Sequence, residues 1–176
     1  MPLDLDSGDI AILTALQHDA RLTVAELAEK VRLSTSPTWR RVKRLEEQGL
    51  ITGYHAALDR RALGWGVLVF VNVTIEDHSE AAAKAFEKAV HALPEIVACW
   101  SVAGSADFLL QVVSSNLDEY AEFAMTTVRR LPGIKAMHTT FTLKEVKPPT
   151  PWPVLGKVHP RSHNRSSRTR SKGRAG

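Results

Sequence analysis

Residues 23–49 read TVAELAEKVRLSTSPTWRRVKRLEEQG, and their pattern predicts two short helices separated by a tight turn. Thr23 and Glu26, three residues later, form a capping box that begins the first helix of this stretch, which is the second of the domain. Ser34 stands where a cap is expected at the start of the next helix, the third of the domain. Because an apolar stripe just upstream predicts a preceding helix, residues 1–52 are expected to form a helix-turn-helix domain.

Length and composition limit the classes of protein to which the chain can belong. It has 176 residues, of which 44% are hydrophobic, enough for one or two packed cores. No apolar run has the length of a membrane span, and the first residues lack the pattern of a secretory signal. A single cysteine, Cys99, excludes a disulfide scaffold, so we expect a cytoplasmic protein that does not contact a membrane.

Positive charge is concentrated in two segments of an otherwise acidic chain. Eight of the 23 Lys/Arg lie in residues 147–176, which contain no acid, so residues 1–146 carry 15 basic against 19 acidic side chains. Within them, residues 21–55 hold seven basic and four acidic residues. Both basic segments are typical of surfaces that bind a polyanion.

A second domain follows, in which strand and helix patterns come in the order β-α-β-β-α-β. Residues 67–75 alternate as a strand, and helical spacing of apolar residues follows at 82–93 and 117–131. Three further strands are expected at residues 96–103, 108–113 and 134–145. This order is the ferredoxin-like, ACT-like pattern, with two helices on one face of an antiparallel sheet. Since the other face then lacks a helix, we expect the chain to self-associate.

Two segments fit neither domain. Residues 51–58 are β-rich and interrupted by a glycine, which indicates a wing or a linking strand. Residues 148–176 change from proline-rich to Ser/Arg-rich, which predicts a disordered basic tail. The tail either adds non-specific DNA affinity or is a soluble extension without a role in binding.

The third predicted helix carries the residues expected to contact DNA, because recognition helices present their first turns to base edges. Arg40 and Arg41 are candidates for base or nearby phosphate contacts, and Lys43 and Arg44 for phosphates. Trp39 either packs in the core, which its spacing to Val42 favours, or lies exposed beside the groove. The candidate DNA-binding residues are Ser34, Thr35, Ser36, Thr38, Trp39, Arg40, Arg41, Lys43 and Arg44.

Three separated stretches form a recognisable set: Leu33 to Tyr54, Val102 to Leu110, and the Leu131–Ile134 turn with the later Glu145-Val-Lys147. Together they closely resemble the Lrp/AsnC (feast/famine) family of bacterial and archaeal transcription regulators. The resemblance covers about residues 3–147 in one register, and it is specific because the motifs occur in the right order.

The resemblance implies an α+β fold with an N-terminal winged helix-turn-helix and a C-terminal ligand-sensing domain. It also implies homodimers that form through the sheet of this domain and often assemble further into tetramers or octamers. Small molecules, mostly amino acids, bind at contacts between dimers and change assembly or DNA affinity. The resulting division is residues 1–52, helix-turn-helix domain; 53–66, linking strand and connector; 67–147, ligand-sensing and oligomerisation domain; and 148–176, tail.

By position, the resemblance implies an effector site at a turn between two sheet strands. Gly104 would allow close backbone approach, Asp107 would accept hydrogen bonds from an α-ammonium group, and Thr139 would line the pocket. Met137 departs from a frequent threonine. Alternatively, Asp107 and Gly104 only shape an ordinary turn. The candidate effector-binding residues are Ala103, Gly104, Ser105, Ala106, Asp107, Met137 and Thr139.

No pattern points to an enzyme. The stretch around Ser105 lacks the second glycine of a nucleophile elbow, and no glycine-rich phosphate loop is present. His159 and His163 make a poor metal site because they lie in the predicted tail. We therefore expect no catalytic residues, cofactor or metal.

The leading hypothesis is a sequence-specific regulator that binds double-stranded DNA as a dimer or larger assembly and responds to a small-molecule effector, with an amino acid as the expected class. A nucleoid-associated architectural protein that wraps DNA mainly through phosphates is the alternative. A ligand-binding module acting only through protein partners is a third possibility, and the basic, hydroxyl-rich third helix argues against it.

Overall fold

The computed structural model describes residues 3–158 and divides the chain into two compact units. Among the described residues, one unit contains residues 3–56 together with residues 149–158, and the other contains Ala57–Pro148. Each unit has its own hydrophobic core. Across the residues described, every helix is too short or too polar to traverse a lipid bilayer.

Three helices form the first unit, as the sequence predicts: α1 (Ser7–His18), α2 (Val24–Lys30) and α3 (Thr35–Glu47). Capping boxes begin α1 and α2, and the one on α2 is the predicted Thr23–Glu26 pair. Ile12, Leu27 and Leu45 are almost completely buried where the helices meet. The core therefore sets the orientation of α3, the predicted recognition helix.

The C-terminal segment also belongs to this unit. Strands β1 (Leu3–Asp4) and β6 (Lys157–Val158) pair antiparallel, and the Leu5 N–H donates a 2.9 Å hydrogen bond to the Gly156 carbonyl. We call residues 149–158 the strap. The predicted disorder is therefore wrong for the strap, because backbone pairing and packing hold it; residues 159–176 lie outside the described residues.

The segment after α3 forms neither a wing nor a linking strand, in contrast to the prediction for residues 51–58. Instead it folds back along α3, where the Ile51 N–H donates to the Leu45 carbonyl. The Tyr54 hydroxyl then donates a 2.8 Å hydrogen bond to Glu46. Within residues 3–158 no strand pairs with residues 51–58, so the predicted strand does not form there.

The second unit is an antiparallel four-stranded sheet with two helices. Its elements are β2 (Val67–Ile75), α4 (Glu80–His91), β3 (Ile96–Ser101), β4 (Phe108–Ser114), α5 (Leu117–Thr126) and β5 (Ile134–Phe141). A 3₁₀ turn, Val128–Arg130, follows α5. The sheet order β3-β4-β2-β5 is that of the predicted ferredoxin-like βαββαβ fold.

The two faces of this sheet differ in what covers them. Val69, Val71 and Val73 alternate along β2 on the face packed against α4 and α5, and all three are fully buried. The opposite face, here called the open face, has no helix over it within residues 3–158. It carries the half-buried Leu68, Phe70 and Leu109 and the exposed Trp100.

Candidate nucleic-acid interface and ligand site

One side of α3 is built into the core. Thr38 is fully buried and its hydroxyl donates a 2.9 Å hydrogen bond to the Ser34 carbonyl, while Leu45, seven residues further on, lies on the same side. Thr38 is therefore wrongly predicted as a DNA contact. Thr38 occupies the core position that helical spacing predicted for its neighbour Trp39, which is 52% exposed.

A buried carboxylate holds two arginines of α3. The Asp9 side chain, only 2% exposed, accepts from Arg41 Nη1 at 2.8 Å through Oδ1 and lies 2.6 Å from Arg44 Nη2 through Oδ2. Arg41 Nη1 also donates to Asp6 Oδ2 at 2.6 Å. We call this group the Asp9 cluster. It gives Arg41 and Arg44, both predicted to contact DNA, a structural partner inside the unit, while the Arg44 side chain stays 45% exposed.

Protonation within the Asp9 cluster favours the charged forms. The backbone N–H of Asp9 and the Arg41 guanidinium lower the pKa of the Asp6 carboxyl. Hydrogen bonds to Asp6 and then Asp9 raise the pKa of Arg41. Asp6 and Arg41 are therefore held in their charged forms at neutral pH, and their ion pair connects α3 to the start of α1.

The other side of α3 is open. Its exposed residues are Ser34, Thr35, Ser36, Trp39, Arg40 and Lys43. Ser36, Arg40 and Lys43 recur at helical spacing on one face, and Trp39, 52% exposed, borders them. In the described part of the chain neither Arg40 nor Lys43 forms an ion pair. This face combines free cations with hydroxyl groups.

The first turn of α3 adds positive potential to this face. Ser34 occupies the N-cap position with extended backbone, but its side chain makes no capping hydrogen bond. The N–H groups of Thr35 and Ser36 have no partner within the helix, as is general for a first turn. Together with the helix dipole they favour a phosphate at this end.

In the second unit, Asp107 fastens the β3–β4 turn to β2. Its N–H donates to the Val73 carbonyl, and its Oδ2 accepts from the Ile75 N–H, both at 2.9 Å. Its Oδ1 lies 3.8 Å from His78 Nδ1. These bonds agree with the alternative in which Asp107 shapes the turn, and they leave Oδ1 without a backbone partner.

The remaining turn residues differ in exposure. Ala103, Gly104 and Ser105 are exposed, whereas Ala106 is buried. Gly104 has φ +146°, which L side chains rarely adopt, and the space where its Cβ would stand is open. The turn therefore presents bare backbone at the surface.

Met137 and Thr139 lie on β5 and not at the β3–β4 turn. They stand opposite Val73 and Val71 on β5, so they share the face covered by helices. The Thr139 hydroxyl is 2.6 Å from that of Tyr120 on α5, and Met137 packs against the core. Since β2 separates β5 from β4, about 10 Å lies between their backbones. One chain alone does not gather the seven candidate residues.

Sequence reasoning missed Asp9, Asp6 and Tyr120. Asp9 falls in the buried stripe of α1 with Ile12 and Ala15, and an acid in such a stripe is the available signal of a paired charge. Its arginine partners are 32 or more residues away, so spacing alone does not identify them.

Each of the two units matches a known protein family model. A family model described as "Winged helix-turn-helix DNA-binding" matches residues 5–52, and one described as "Lrp/AsnC ligand binding domain" matches residues 68–152. The Bkd operon transcriptional regulator of Pseudomonas aeruginosa is 40% identical over 143 residues, covering 81% of this chain and 94% of its own. The leucine-responsive regulatory protein of Rhizobium meliloti is 39% identical over 145 residues, covering 82% and 93%.

Solved structures agree. A transcriptional regulator of Neisseria meningitidis, crystallised as an L-Met complex, superposes with a TM-score of 0.80 at 36% identity, covering 85% of this chain and 96% of its own. An AsnC family transcriptional regulator from Agrobacterium tumefaciens gives 0.79 at 36% identity, covering 85% and 97%.

A helix-turn-helix unit with an open basic recognition helix, joined to a ligand-binding α/β unit, defines a ligand-responsive DNA-binding transcription regulator. The chain belongs to the Lrp/AsnC family. The resemblance found in the sequence is confirmed, and so is the α+β fold class that it implied, a helix-turn-helix domain followed by a βαββαβ domain; the wing is the part that residues 51–58 do not form.

Truncation of the adjacent residues Arg40 and Arg41 is expected to change the stability of the protein by different amounts. Arg41→Ala removes one of the two cations on buried Asp9, so the free energy of unfolding falls by about 1.5–3 kcal/mol. Arg40→Ala, at an exposed position, stays within about 0.5 kcal/mol of the parent. Urea unfolding followed by circular dichroism measures both, and an equal loss in the two variants would contradict the Asp9 cluster.

Proposed function

We propose that the protein binds specific duplex sites as an assembly of two or more copies, and that an amino acid at the β3–β4 turn changes its DNA affinity or its assembly. The observation that carries this proposal is the division of α3 into two sides. The core and the Asp9 cluster fix one side, and the other side presents unpaired cations and hydroxyl groups to solvent.

Residues on the open side of α3 are suited to distinct DNA contacts. Arg40, near the N-terminal part of the helix, reaches a base edge or a nearby phosphate, and Lys43, one turn later, neutralises a phosphate. The small hydroxyls of Ser34 to Ser36 allow the backbone to approach the duplex closely. Trp39 adds an apolar contact beside the groove. Arg41 and Arg44 act indirectly, by holding α3 in position.

The open face of the sheet supports a homodimer. Phe70 and Leu109 are only half-buried there, and Trp100 is 45% exposed, so pairing with a second copy removes apolar surface from water. A dimer with two-fold symmetry carries two recognition helices, and its site is then expected to be nearly palindromic. Larger assemblies, tetramers or octamers, follow if dimers meet at the β3–β4 turn.

Amino acids are the proposed effector class for the exposed turn. Relatives are named leucine-responsive, and a similar structure holds L-Met. In this chain, Asp107 Oδ1 is free of backbone bonds and matches an α-ammonium group, while exposed backbone at Gly104 allows close approach. Because the turn is open on the surface, a second copy is needed to enclose the ligand.

Architectural wrapping of DNA is the second candidate, favoured by the basic residues 159–176. A footprint titration separates the two functions. Protection at a few discrete sites supports the regulator, and uniform protection with a steep salt dependence supports the architectural protein.

Lys43→Ala is expected to weaken binding to all duplexes alike and to reduce the log–log salt slope by about 1, because one phosphate contact is lost. Arg40→Ala is expected to cost about 1–3 kcal/mol on the specific site and to relax specificity if the side chain reads a base. Fluorescence anisotropy measures both, with the exposed Lys88→Ala as control. Unchanged affinity in both α3 variants would defeat the assignment.

Phe70→Asp is expected to shift the protein toward monomer, since it places a charge on the apolar open face. Light scattering at several concentrations measures the mass. Leu117→Asp, at a 60% exposed position beginning α5, is the control and retains the parental mass. A monomeric parent, or a Phe70→Asp variant with unchanged mass, argues against the open face as the dimer surface.

Thermal unfolding with each of the twenty amino acids tests the effector class. An effector at 100 times its Kd adds about 2.7 kcal/mol of stability and so raises Tm. Asp107→Asn keeps an acceptor for the Ile75 N–H but loses the charge, so we expect little change without ligand and loss of the ligand-induced rise. The exposed Asp118→Asn is the control. A full rise in Asp107→Asn removes that residue from the site.

A further inference from the structure

The turn between α2 and α3 contains a residue with an unfavourable backbone conformation. Arg32 has φ +56°, in the left-handed region that L side chains rarely adopt. Among residues 3–158 it is the only non-glycine residue with positive φ, since the four others are Gly49, Gly64, Gly104 and Gly133. In this region the Cβ of an L residue lies too close to the following carbonyl oxygen, so the conformation costs free energy for arginine but not for glycine.

The left-handed residue belongs to the motif that ends α2. The Leu33 N–H donates a 2.9 Å hydrogen bond to the Ala28 carbonyl. The Arg32 N–H donates a 3.1 Å hydrogen bond to the Glu29 carbonyl. This pair of bonds is a Schellman motif, in which the left-handed position is usually glycine. The turn that leads into α3 therefore needs a left-handed residue, and this chain places an arginine there.

The end of α3 provides an internal comparison. The Leu50 N–H donates to the Leu45 carbonyl at 3.0 Å, which is the first bond of the same motif. The Gly49 N–H donates to the Glu46 carbonyl at 2.9 Å, and Gly49 has φ +70°. One unit thus contains the motif twice, once with glycine and once with arginine. Because arginine is the less favourable choice for the backbone, its side chain is the feature that needs an explanation.

The Arg32 side chain is available to a partner outside the chain. The residue is exposed, and across the described residues its guanidinium takes part in no ion pair. In this it differs from Arg41 and Arg44, which both pair with Asp9. An unpaired guanidinium forms strong, often bidentate hydrogen bonds with phosphate.

The position of the turn places Arg32 beside the duplex backbone. Arg32 precedes Ser34, the N-cap of α3, by two residues, so at most about 7 Å separates their Cα atoms. In a helix-turn-helix, the helix before the turn crosses the sugar–phosphate backbone, and the helix after it enters the major groove. The turn between them therefore lies near the phosphates at the edge of that groove.

We propose that Arg32 is a further DNA-binding residue, and that its guanidinium contacts a backbone phosphate at the edge of the groove that α3 enters. The inference rests on the DNA-binding function. The candidate DNA-binding residues begin at Ser34, so this contact lies outside them. A charge-assisted contact with phosphate accounts for an arginine at a position where glycine is favoured. Since phosphates carry no sequence information, Arg32 adds affinity for every duplex alike.

Replacing Arg32 by glycine in the full-length protein separates stability from binding. Because Arg32→Gly removes the backbone strain together with the charge, its Tm is expected to equal or exceed that of the parent. Its Kd is expected to rise about tenfold at low salt. The slope of log Kd against log salt falls by about 0.9, because one phosphate contact is lost. Circular dichroism measures Tm, and anisotropy measures Kd for a duplex selected for tight binding and for a scrambled duplex.

Two further substitutions separate charge from backbone conformation. Arg32→Asn is uncharged and tolerates the left-handed region, so it is expected to lose as much affinity as Arg32→Gly without the added flexibility of glycine. Arg32→Lys keeps the charge and is expected to keep the parental salt slope. The exposed Lys88→Ala, which removes one positive charge from the other unit, is the control and keeps the parental affinity.

Parental affinity and slope in both Arg32→Gly and Arg32→Asn overturn the proposal, as does a loss of slope in Arg32→Lys equal to that in Arg32→Gly. A loss in Arg32→Gly alone assigns the effect to turn flexibility and overturns it too. A loss on the selected duplex without one on the scrambled duplex indicates base reading and contradicts the phosphate contact. A lower Tm in Arg32→Gly shows that the arginine supports the fold and removes the argument from strain. If the parent binds no duplex, the DNA-binding function fails instead, so the two failures are distinguishable.

Discussion

The orientation of α3 in the DNA-binding unit depends on one buried carboxylate, that of Asp9. A charge removed from water is costly unless partners compensate it, and Asp9 has two guanidiniums at 2.6 and 2.8 Å. Both belong to α3, so the same pairs that satisfy Asp9 fix the rotation of the recognition helix about its axis. Arg40 and Lys43 then have only one direction in which to point, toward solvent.

The division of roles along α3 shows how far a sequence can be interpreted. The Thr23–Glu26 capping box and the strand order were predictable because they depend on neighbours a few residues away, whereas α5 ends at Thr126 and not at the predicted residue 131. The choice between Thr38 and Trp39 for the core depends on the angle at which α3 meets α1 and α2. The pairing of Arg41 and Arg44 depends on an acid more than 30 residues earlier. Charge alone cannot separate an arginine that binds DNA from one that binds its own domain.

The ligand-binding unit shows the same limit. Alternation in β2 identified the buried face, and the uncovered face followed from the strand order. The grouping of Met137 and Thr139 with the β3–β4 turn came from resemblance, and within one chain β2 stands between them. For an effector site that forms between copies, as we propose here, the positions of residues in one chain describe only part of the pocket. Asp107 therefore has a structural bond to Ile75 whether or not it also meets an effector.

The strap makes the DNA-binding unit discontinuous in sequence, with the ligand-binding unit inserted into it. During synthesis, all strands of the four-stranded sheet are translated before the strap. The DNA-binding unit therefore lacks its contacts with Val154 and β6 until those residues are translated. A polypeptide that ends before residue 149 thus contains the whole ligand-binding unit but lacks the strap of the DNA-binding unit. Translation through Val158 is therefore required before all the contacts of the DNA-binding unit can form.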